Sequence, residues 1–306
     1  MKTIPCIFCN KINTNVVIRE NGFIGVKCTC NLIYISPRPS EKDIINLYGH
    51  DDAHLTANDH INQAFSKRLH ANHSLGIIKK YIPQGDLLEI GAGAGYFLNQ
   101  AKKRKYSPYG IELNPAQAQF IRDLGIPCQE TPLAINSFEN RRFDIIYHAD
   151  VVSHFYDPIK AFTIMHQKLK KNGYLVFETG NLGDVQENYY SLIPSFQYPD
   201  HLFFFSEKNI HSLLELTGFK LIKIYRYSIV PQLLFHKGIH RFFHKDIKKK
   251  SLLSSNGAFK TYQKSPLSAF FKNNYYFLMH VLRYKIGNFS PKSKKPQTII
   301  VVAQKK

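Results

Sequence analysis

The stretch Leu87-Leu88-Glu89-Ile90-Gly91-Ala92-Gly93-Ala94-Gly95-Tyr96-Phe97-Leu98 runs from an apolar strand through a glycine-rich turn into a helix. Alternate glycines let the backbone pass close to a ligand, because no Cβ intervenes and positive φ is open to them. A second strand follows and ends at Gly110-Ile111-Glu112, where an acidic side chain can take both hydroxyls of a ribose. A dinucleotide fingerprint sets its third glycine three residues after the second and offers a helix N-terminus to a pyrophosphate. Here the glycines are Gly91, Gly93 and Gly95, with Glu89 beside them. A carboxylate there repels a pyrophosphate and suits an ammonium group. That favours S-adenosylmethionine (SAM), with its zwitterionic amino-acid end and cationic sulfonium, over NAD.

Outward from this stretch the pattern keeps alternating. Asn114-Pro115 starts a helix through Ala118, Phe120, Ile121 and Leu124 that stops at Gly125. Ile126-Pro127-Cys128 reads as a short third strand and Phe143-Asp144-Ile145-Ile146-Tyr147-His148 as a fourth. The segment Asp150 to Pro158 leads into an apolar-periodic helix ending at Leu169, and Lys171-Asn172-Gly173 turns into a fifth strand, Tyr174 to Thr179. Strands alternating with helices of this length predict βαβ units: an α/β fold with a parallel sheet covered on both faces.

The glycine loop, Gly110-Ile111-Glu112, the block Phe143-Asp144 through His154 to Asp157-Pro158, and Gly173 to Asn181 together resemble the class I SAM-dependent methyltransferases. The likeness is to the ubiquinone-type, small-molecule branch called types 11 and 12. His201-Leu202-Phe203-Phe204-Phe205-Ser206 leading to Thr217-Gly218-Phe219 extends it. The resemblance implies a Rossmann-like, seven-stranded, mostly parallel sheet whose last strand is antiparallel, and Thr298 to Ala303 reads as that strand. It implies a cofactor site of Glu89, Gly91, Gly93, Gly95, Glu112, Leu113 and Asp150. Glu89, Gly91 and Gly93 would surround the methionine part, Glu112 the ribose, and Asp150 or the backbone near it the sulfonium side. Gln129 to Leu133 would meet the adenine. Ser153 stands where many members carry a glutamate, which argues against a carboxylate base or a metal-assisted mechanism there.

Four of the five cysteines fall in the first thirty residues, as Cys6-Ile7-Phe8-Cys9 and Cys28-Thr29-Cys30. Two pairs eighteen residues apart resemble a zinc ribbon, whose two knuckles give four thiolates to a tetrahedral metal. Members of the same branch often begin this way, with the second pair usually spaced by two residues; here it is spaced by one. The expectation is one structural zinc on Cys6, Cys9, Cys28 and Cys30, against the alternative of four reduced thiols. Met1 to Asn10 lacks the apolar core of a signal peptide, which predicts a cytoplasmic protein without disulfides.

Between the ribbon and the glycine loop, Ser40 and Asp43 form a capping box for a helix carrying Ile44, Ile45, Leu47 and Tyr48. His50 to His60 reads as a polar loop, and Ile61 to Tyr81 as a helix. Such a segment commonly covers the cofactor pocket in this branch. His54, His60, His70 and His73 read as solvated helix residues, with no metal spacing tying them together.

The chain of 306 residues carries a formal charge of +19. Residues 230–306 hold sixteen Lys and Arg against one acidic residue, Asp246, a net +15; the first 229 hold twenty-five against twenty-one, a net +4. That region also holds Phe235, Phe242, Phe243, Phe270, Phe271, Tyr275, Tyr276 and Phe277. A basic and aromatic segment suits an anionic membrane surface, a phosphate-bearing substrate or nucleic acid. Leu267 to Ile286 reads as a helix with Leu267, Phe270, Phe271, Leu278, Val281 and Leu282 on one face, expected to pack on the sheet edge or a partner subunit. The uncharged run from Asn273 to Leu282 is far short of the ~20 residues a bilayer span needs.

An acceptor that loses a proton during methyl transfer needs a base. His154, after the fourth strand at the edge where open α/β sheets bind ligands, is the first candidate, and His201, in an aromatic segment after the fifth strand, the second. The Asn/Asp-Pro-Pro-aromatic motif is absent after the fourth strand, as is a cysteine there, which disfavours base-nitrogen methylation and the covalent route to a pyrimidine carbon. The preferred reading is transfer to an O or C atom of a small molecule such as a nucleotide sugar, a surface glycan or a lipid-linked intermediate. The alternatives are an RNA methyltransferase using ribbon and basic region, or a non-catalytic SAM- or nucleotide-binding protein. The expected organisation is ribbon 1–38, helical cap 39–83, SAM-binding core 84–229, basic aromatic insertion 230–296, and last strand with tail 297–306.

Overall fold

The structure is a computed structural model that describes residues 1–49, 61–139, 141–243 and 266–306. The expected loop 50–60, with His54 and His60, and the lysine-rich stretch 244–265 lie outside the described residues.

The chain begins with a small antiparallel sheet. Strands β1 (Val16–Glu20) and β2 (Phe23–Lys27) are joined at Asn21-Gly22, both with positive φ (51° and 81°), as a two-residue hairpin matching strand twist requires. Strand β3 (Ile33–Ile35) pairs with β2. After Ser40, whose hydroxyl accepts from the Asp43 amide while the Asp43 carboxylate accepts from the Ser40 amide, comes helix α1 (Glu41–Gly49). Helix α2 (Ala64–Ile78) then buries Ala71, Ser74, Leu75, Ile77 and Ile78.

The core follows as β4 (Asp86–Ile90), α3 (Tyr96–Lys103), β5 (Ser107–Ile111), α4 (Pro115–Asp123), β6 (Cys128–Gln129), β7 (Phe143–Ala149), α5 (Pro158–Lys168) and β8 (Leu169–Gly180). Asn114 and Asp157 cap α4 and α5 through their side chains, each with proline at the first helical position. Strand β9 (Phe203–Phe204), helix α6 (Glu207–Leu216), strand β10 (Phe219–Ser228), helices α7 (Val230–Phe243) and α8 (Pro266–Val281), and β11 (Gln297–Lys305) complete the chain.

The main sheet has seven strands in the order β10-β11-β8-β7-β4-β5-β6, parallel from β6 to β8, with β11 antiparallel to both neighbours. The expected last strand is therefore β11, and its burial explains its composition. Ile299, Val301 and Ala303 join one apolar layer with the ribbon, α5 and α6, while Ile300 and Val302 join the other with α2 and α3. A strand covered on both faces reads as a continuous apolar run. The third strand, expected at 126–128, lies at Cys128–Gln129.

The ribbon is tied to the core by strand pairing. Ile33 and Tyr34 of β3 pair with Phe204 and Phe203 of β9, so the small sheet runs β1-β2-β3-β9. Among the described residues, no helix is long and apolar enough to cross a membrane.

Candidate active site

The C-terminal ends of β4, β5, β7 and β8 open into a cavity of about 900 Å³. At one end lies the glycine loop, with Gly91, Gly93 and Gly95 all at positive φ. A Cβ on Gly91 would come within 2.6 Å of Val151 Cγ2, and one on Gly95 within 2.6 Å of Ile121 Cγ1, so neither tolerates a side chain. The loop is pinned to the next strand: the Gly93 amide donates to Glu112 Oε2 (2.7 Å) and the Asn114 amide to Oε1 (2.9 Å). Each carboxylate oxygen keeps a second lone pair for a hydroxyl.

Glu89 is buried, and its Oε2 has no hydrogen-bond partner. Burial and the nearby Glu112 hold its carboxyl well above the usual range. A buried acceptor aimed into a cavity fits an ammonium donor, which would supply both the missing bond and the missing charge. Asp150 follows β7 in the left-handed region (φ 57°), its amide donating to the Glu178 carbonyl; burial raises its carboxyl too. Leu113, Pro132 and Leu133 line the cavity beside Glu112. Gln129, expected at the adenine, accepts from the Phe138 amide instead.

At the other end stand His154 and His201. His154 Nδ1 lies 3.0 Å from Asp200 Oδ1, and the two imidazoles meet edge to face at 4.5 Å. Burial alone would lower the His154 pKa, but the Asp200 carboxylate outweighs it and holds the imidazole above its ordinary value. The geometry follows from a cross-brace: the Leu202 amide donates to the Ser153 carbonyl (2.7 Å), fixing the segment before β9 against the loop after β7. An Nδ1 that donates to Asp200 puts the ring's acceptor lone pair on Nε2. His148 lies away from this chemistry, stacked on Phe177 at 5.0 Å.

Among the cavity residues that escaped the sequence reading are Asp200, Glu178, His70 and Lys67. Asp200 adjoins His201. Glu178, at the end of β8, is buried and receives His70 Nε2 (2.9 Å) and the Tyr284 hydroxyl (3.0 Å). Burial would raise its carboxyl, but His70 and Arg283 bring it down to about 2. His70 and Lys67 come from α2, so His70 is not the solvated residue expected. His73 is not solvated either, bonding the Tyr227 hydroxyl at 3.0 Å. The signal was present in α2: Gln63, Ser66, Lys67 and His70 recur at helical spacing and all line the cavity.

The C-terminal helix corrects a second expectation. α8 turns Tyr275, Tyr276, Met279 and His280 into the cavity, with Arg283 and Tyr284 just beyond it. On its expected apolar face, Phe270, Phe271 and Leu278 are 61%, 64% and 38% exposed. It packs against α2 over the cavity and not on the sheet edge, and its exposed apolar side is the one expected to meet a partner subunit.

The four N-terminal sulfurs lie within 4.8 Å of one another, with Cys6 to Cys30 at 3.6 Å and Cys9 to Cys28 at 3.2 Å. A zinc tetrahedron with ~2.3 Å bonds has edges of about 3.8 Å, so the set fits that metal. The one-residue spacing is accommodated by Asn31 at φ 68° and by Asn209, whose side chain donates to the Cys30 carbonyl.

Sheet order and cavity together define a class I methyltransferase architecture. The methyltransferase-domain family model matches residues 57–224, more than half of the chain. A SAM-dependent methyltransferase from Thermotoga maritima, described as a possible histamine N-methyltransferase, has 15% identity and a TM-score of 0.51 over 86% of this chain and 100% of that one. A SAM-dependent methyltransferase from Archaeoglobus fulgidus has 19% identity and a TM-score of 0.45 over 77% and 94%. Geranyl diphosphate C-methyltransferase from Streptomyces coelicolor A3(2) has 12% and 0.47 over 77% and 80%. At such identities the likeness concerns the fold alone. No curated protein sequence matches the chain significantly. The chain belongs to the SAM-dependent methyltransferases of class I.

Proposed function

We propose that this enzyme transfers a methyl group from SAM to an O or C atom of a small-molecule acceptor, with His154 as the base. One observation carries the reading: a single cavity has Glu89, Glu112 and Asp150 at one end and the His154–Asp200 pair with His201 at the other. Glu89 with Gly91, Gly93 and Gly95 would hold the amino-acid end of the cofactor, Glu112 and Leu113 its ribose, and Asp150 the sulfonium side. When bound, SAM supplies an electrophilic methyl. His154 Nε2 takes the acceptor's proton as the new bond to carbon forms, and Asp200 stabilises the resulting imidazolium. His201 orients the acceptor against His154.

A cavity of this size has room for an acceptor beside the cofactor, and Lys160 and Arg283 on its wall suit one carrying phosphate. That supports a nucleotide sugar, a surface-glycan precursor or a lipid-linked intermediate. The outward Phe270, Phe271 and Phe277, with the lysine-rich sequence that precedes them, favour peripheral contact with an anionic membrane as the route to such a substrate. Cys6, Cys9, Cys28 and Cys30 would hold one structural zinc.

Calorimetric titration with SAM, S-adenosylhomocysteine and NAD, followed by transfer of labelled methyl to a panel of nucleotide sugars and lipid-linked sugars, tests the reading. Binding of the first two alone and labelling of one acceptor class support it. NAD binding, or labelling of RNA instead, overturns it.

A further inference from the structure

We propose that Glu20, at the tip of the ribbon's hairpin, is a positioning residue of the methyl-transfer site: it holds the segment that carries Asp200 and His201 against His154. The inference rests on the reading of His154 and Asp200 as the base and its support.

Glu20 ends β1 and lies outside the cavity lining. Its carboxylate accepts from two amides far along the chain, Oε1 from Phe196 (3.2 Å) and Oε2 from Tyr198 (3.0 Å). Between them Gln197 stands at φ 63°, a left-handed conformation that a residue other than glycine keeps only where its surroundings dictate it. Two amides turned toward one carboxylate make a small anion nest, filled here by the protein's own side chain. The next hairpin residue adds a third bond, Asn21 Nδ2 donating to the Tyr198 carbonyl (2.7 Å). Tyr198 itself is buried against β2, where Gly25 has no side chain to displace its phenol.

Past Tyr198 the chain has little freedom left. Pro199 restricts φ, and Asp200, 4% exposed, then reaches His154 at 3.0 Å. The His201 amide donates back to the Gln197 carbonyl (3.1 Å), closing a turn that contains Asp200. Asp200 is therefore held from both sides: downstream by the Leu202 brace to Ser153, upstream by Glu20 and Asn21. Gln197, Asp200 and His201 line the cavity whereas Glu20 and Asn21 do not, so the hairpin acts on the site through the backbone. A carboxylate that must stay within hydrogen-bond distance of one imidazole nitrogen loses its effect on a displacement of about 1 Å. In sequence Glu20-Asn21-Gly22 reads only as a turn, because its partners lie more than 170 residues away.

The test is titration of the His154 imidazole, followed by NMR on histidine-labelled full-length protein and assigned by its loss in His154→Ala. Asp150 and His201 also face the ring and are unchanged in the variants compared. Asp200→Asn is the reference, expected to lower the midpoint by about 1 pH unit or more, the effect of losing an adjacent opposite charge. Glu20→Ala is expected to lower it by at least about half as much, and Glu20→Asp to stay nearest to wild type. Asn21→Gly keeps the left-handed turn, deletes only the bond to Tyr198 and changes no charge, so its expected smaller downward shift reports position and not field. Thermal unfolding confirms the fold of each variant, and Asn21→Gly carries the test should Glu20→Ala not fold. A midpoint unmoved in Glu20→Ala and Asn21→Gly, beside a lowered one in Asp200→Asn, overturns the proposal and leaves Glu20 as a contact of the ribbon alone. A midpoint unmoved in Asp200→Asn is a separate result, which removes the His154–Asp200 reading and this inference with it.

Discussion

His154 and Asp200, forty-six residues apart, meet at 3.0 Å between Nδ1 and Oδ1, with the edge of His201 against the same imidazole. The carboxylate holds the imidazole's pKa above its ordinary value, and in the proposed mechanism Nε2 is the base. A base works in its neutral form, so the rate of methyl transfer should rise with pH through a midpoint above the ordinary histidine value of about 6.5. Asp200→Asn removes the charge that holds the midpoint up and should shift it downward. His154→Ala should lower kcat by about 10²- to 10⁴-fold while SAM affinity stays within about twofold. The pH–rate profiles of the three proteins check this; a profile unmoved by Asp200→Asn would take the base role from His154.

Glu112 accepts from two backbone amides and, in the proposed site, from two ribose hydroxyls. Glu112→Ala therefore removes the sugar contacts and leaves the Gly93 amide without its partner. SAM should bind at least about tenfold more weakly, the worth of one lost hydrogen bond to a charged group. Calorimetry decides it, and unchanged affinity would remove Glu112 from the site.

The four thiols predict about one equivalent of zinc per chain in metal analysis of purified protein, and none after Cys28→Ser. Because β3 pairs with β9, loss of the metal should loosen more than the ribbon. Hydrogen exchange should quicken at Phe203 and Phe204 in the Cys28→Ser protein, and His154 should lose its fixed partner as the Asp200 segment relaxes. A full metal-free preparation with unchanged exchange would show that the cysteines hold nothing.

What was legible in the sequence was local. The glycine turn, Glu112, the Asn114-Pro115 and Asp157-Pro158 helix starts and the apolar run of β11 each announce themselves within a dozen residues, through backbone conformation and burial. The pairing of His154 with Asp200 is not local, and neither is the meeting of His70 with Glu178 across 108 residues. A histidine on an amphipathic helix looks solvated until the sheet it lies on is in place. The sheet-edge placement of α8 misled for a related reason: the polar aromatic side, Tyr275, Tyr276 and His280, is the one that covers the cavity.

The exposed phenylalanines carry their own consequence. Wild type should co-sediment with vesicles containing anionic phospholipid and not with purely zwitterionic ones, and added salt should weaken the binding. Phe270→Ser with Phe271→Ser should cut the bound fraction severalfold without changing SAM affinity, since neither side chain lines the cavity. Equal binding by the double variant would leave these residues without a membrane role.

His148 supplies the last test, one of stability. It is fully buried, stacked on Phe177 with Phe155 and Phe162 at its edges, and neither ring nitrogen has a partner. Burial takes its pKa down to about 3, and burial likewise takes His73 and His280 down to about 4. Below the ordinary histidine pKa of about 6.5 the unfolded chain binds protons at these sites that the folded chain does not. The stability they contribute is whole above that pH and drains as pH falls toward 3, at up to about 1.4 kcal/mol per pH unit for the fully buried His148. His148→Phe replaces a ring with two unsatisfied nitrogens by an apolar ring of similar shape, a change that leaves a well-packed core near neutral or gains stability. The variant should match or exceed wild type in thermal unfolding at pH 8 and exceed it clearly at pH 5, because its acid limb is shallower. Parallel unfolding curves at the two pH values for both proteins would mean that His148 takes up its proton in the folded state, and that the apolar stack around it opens to water.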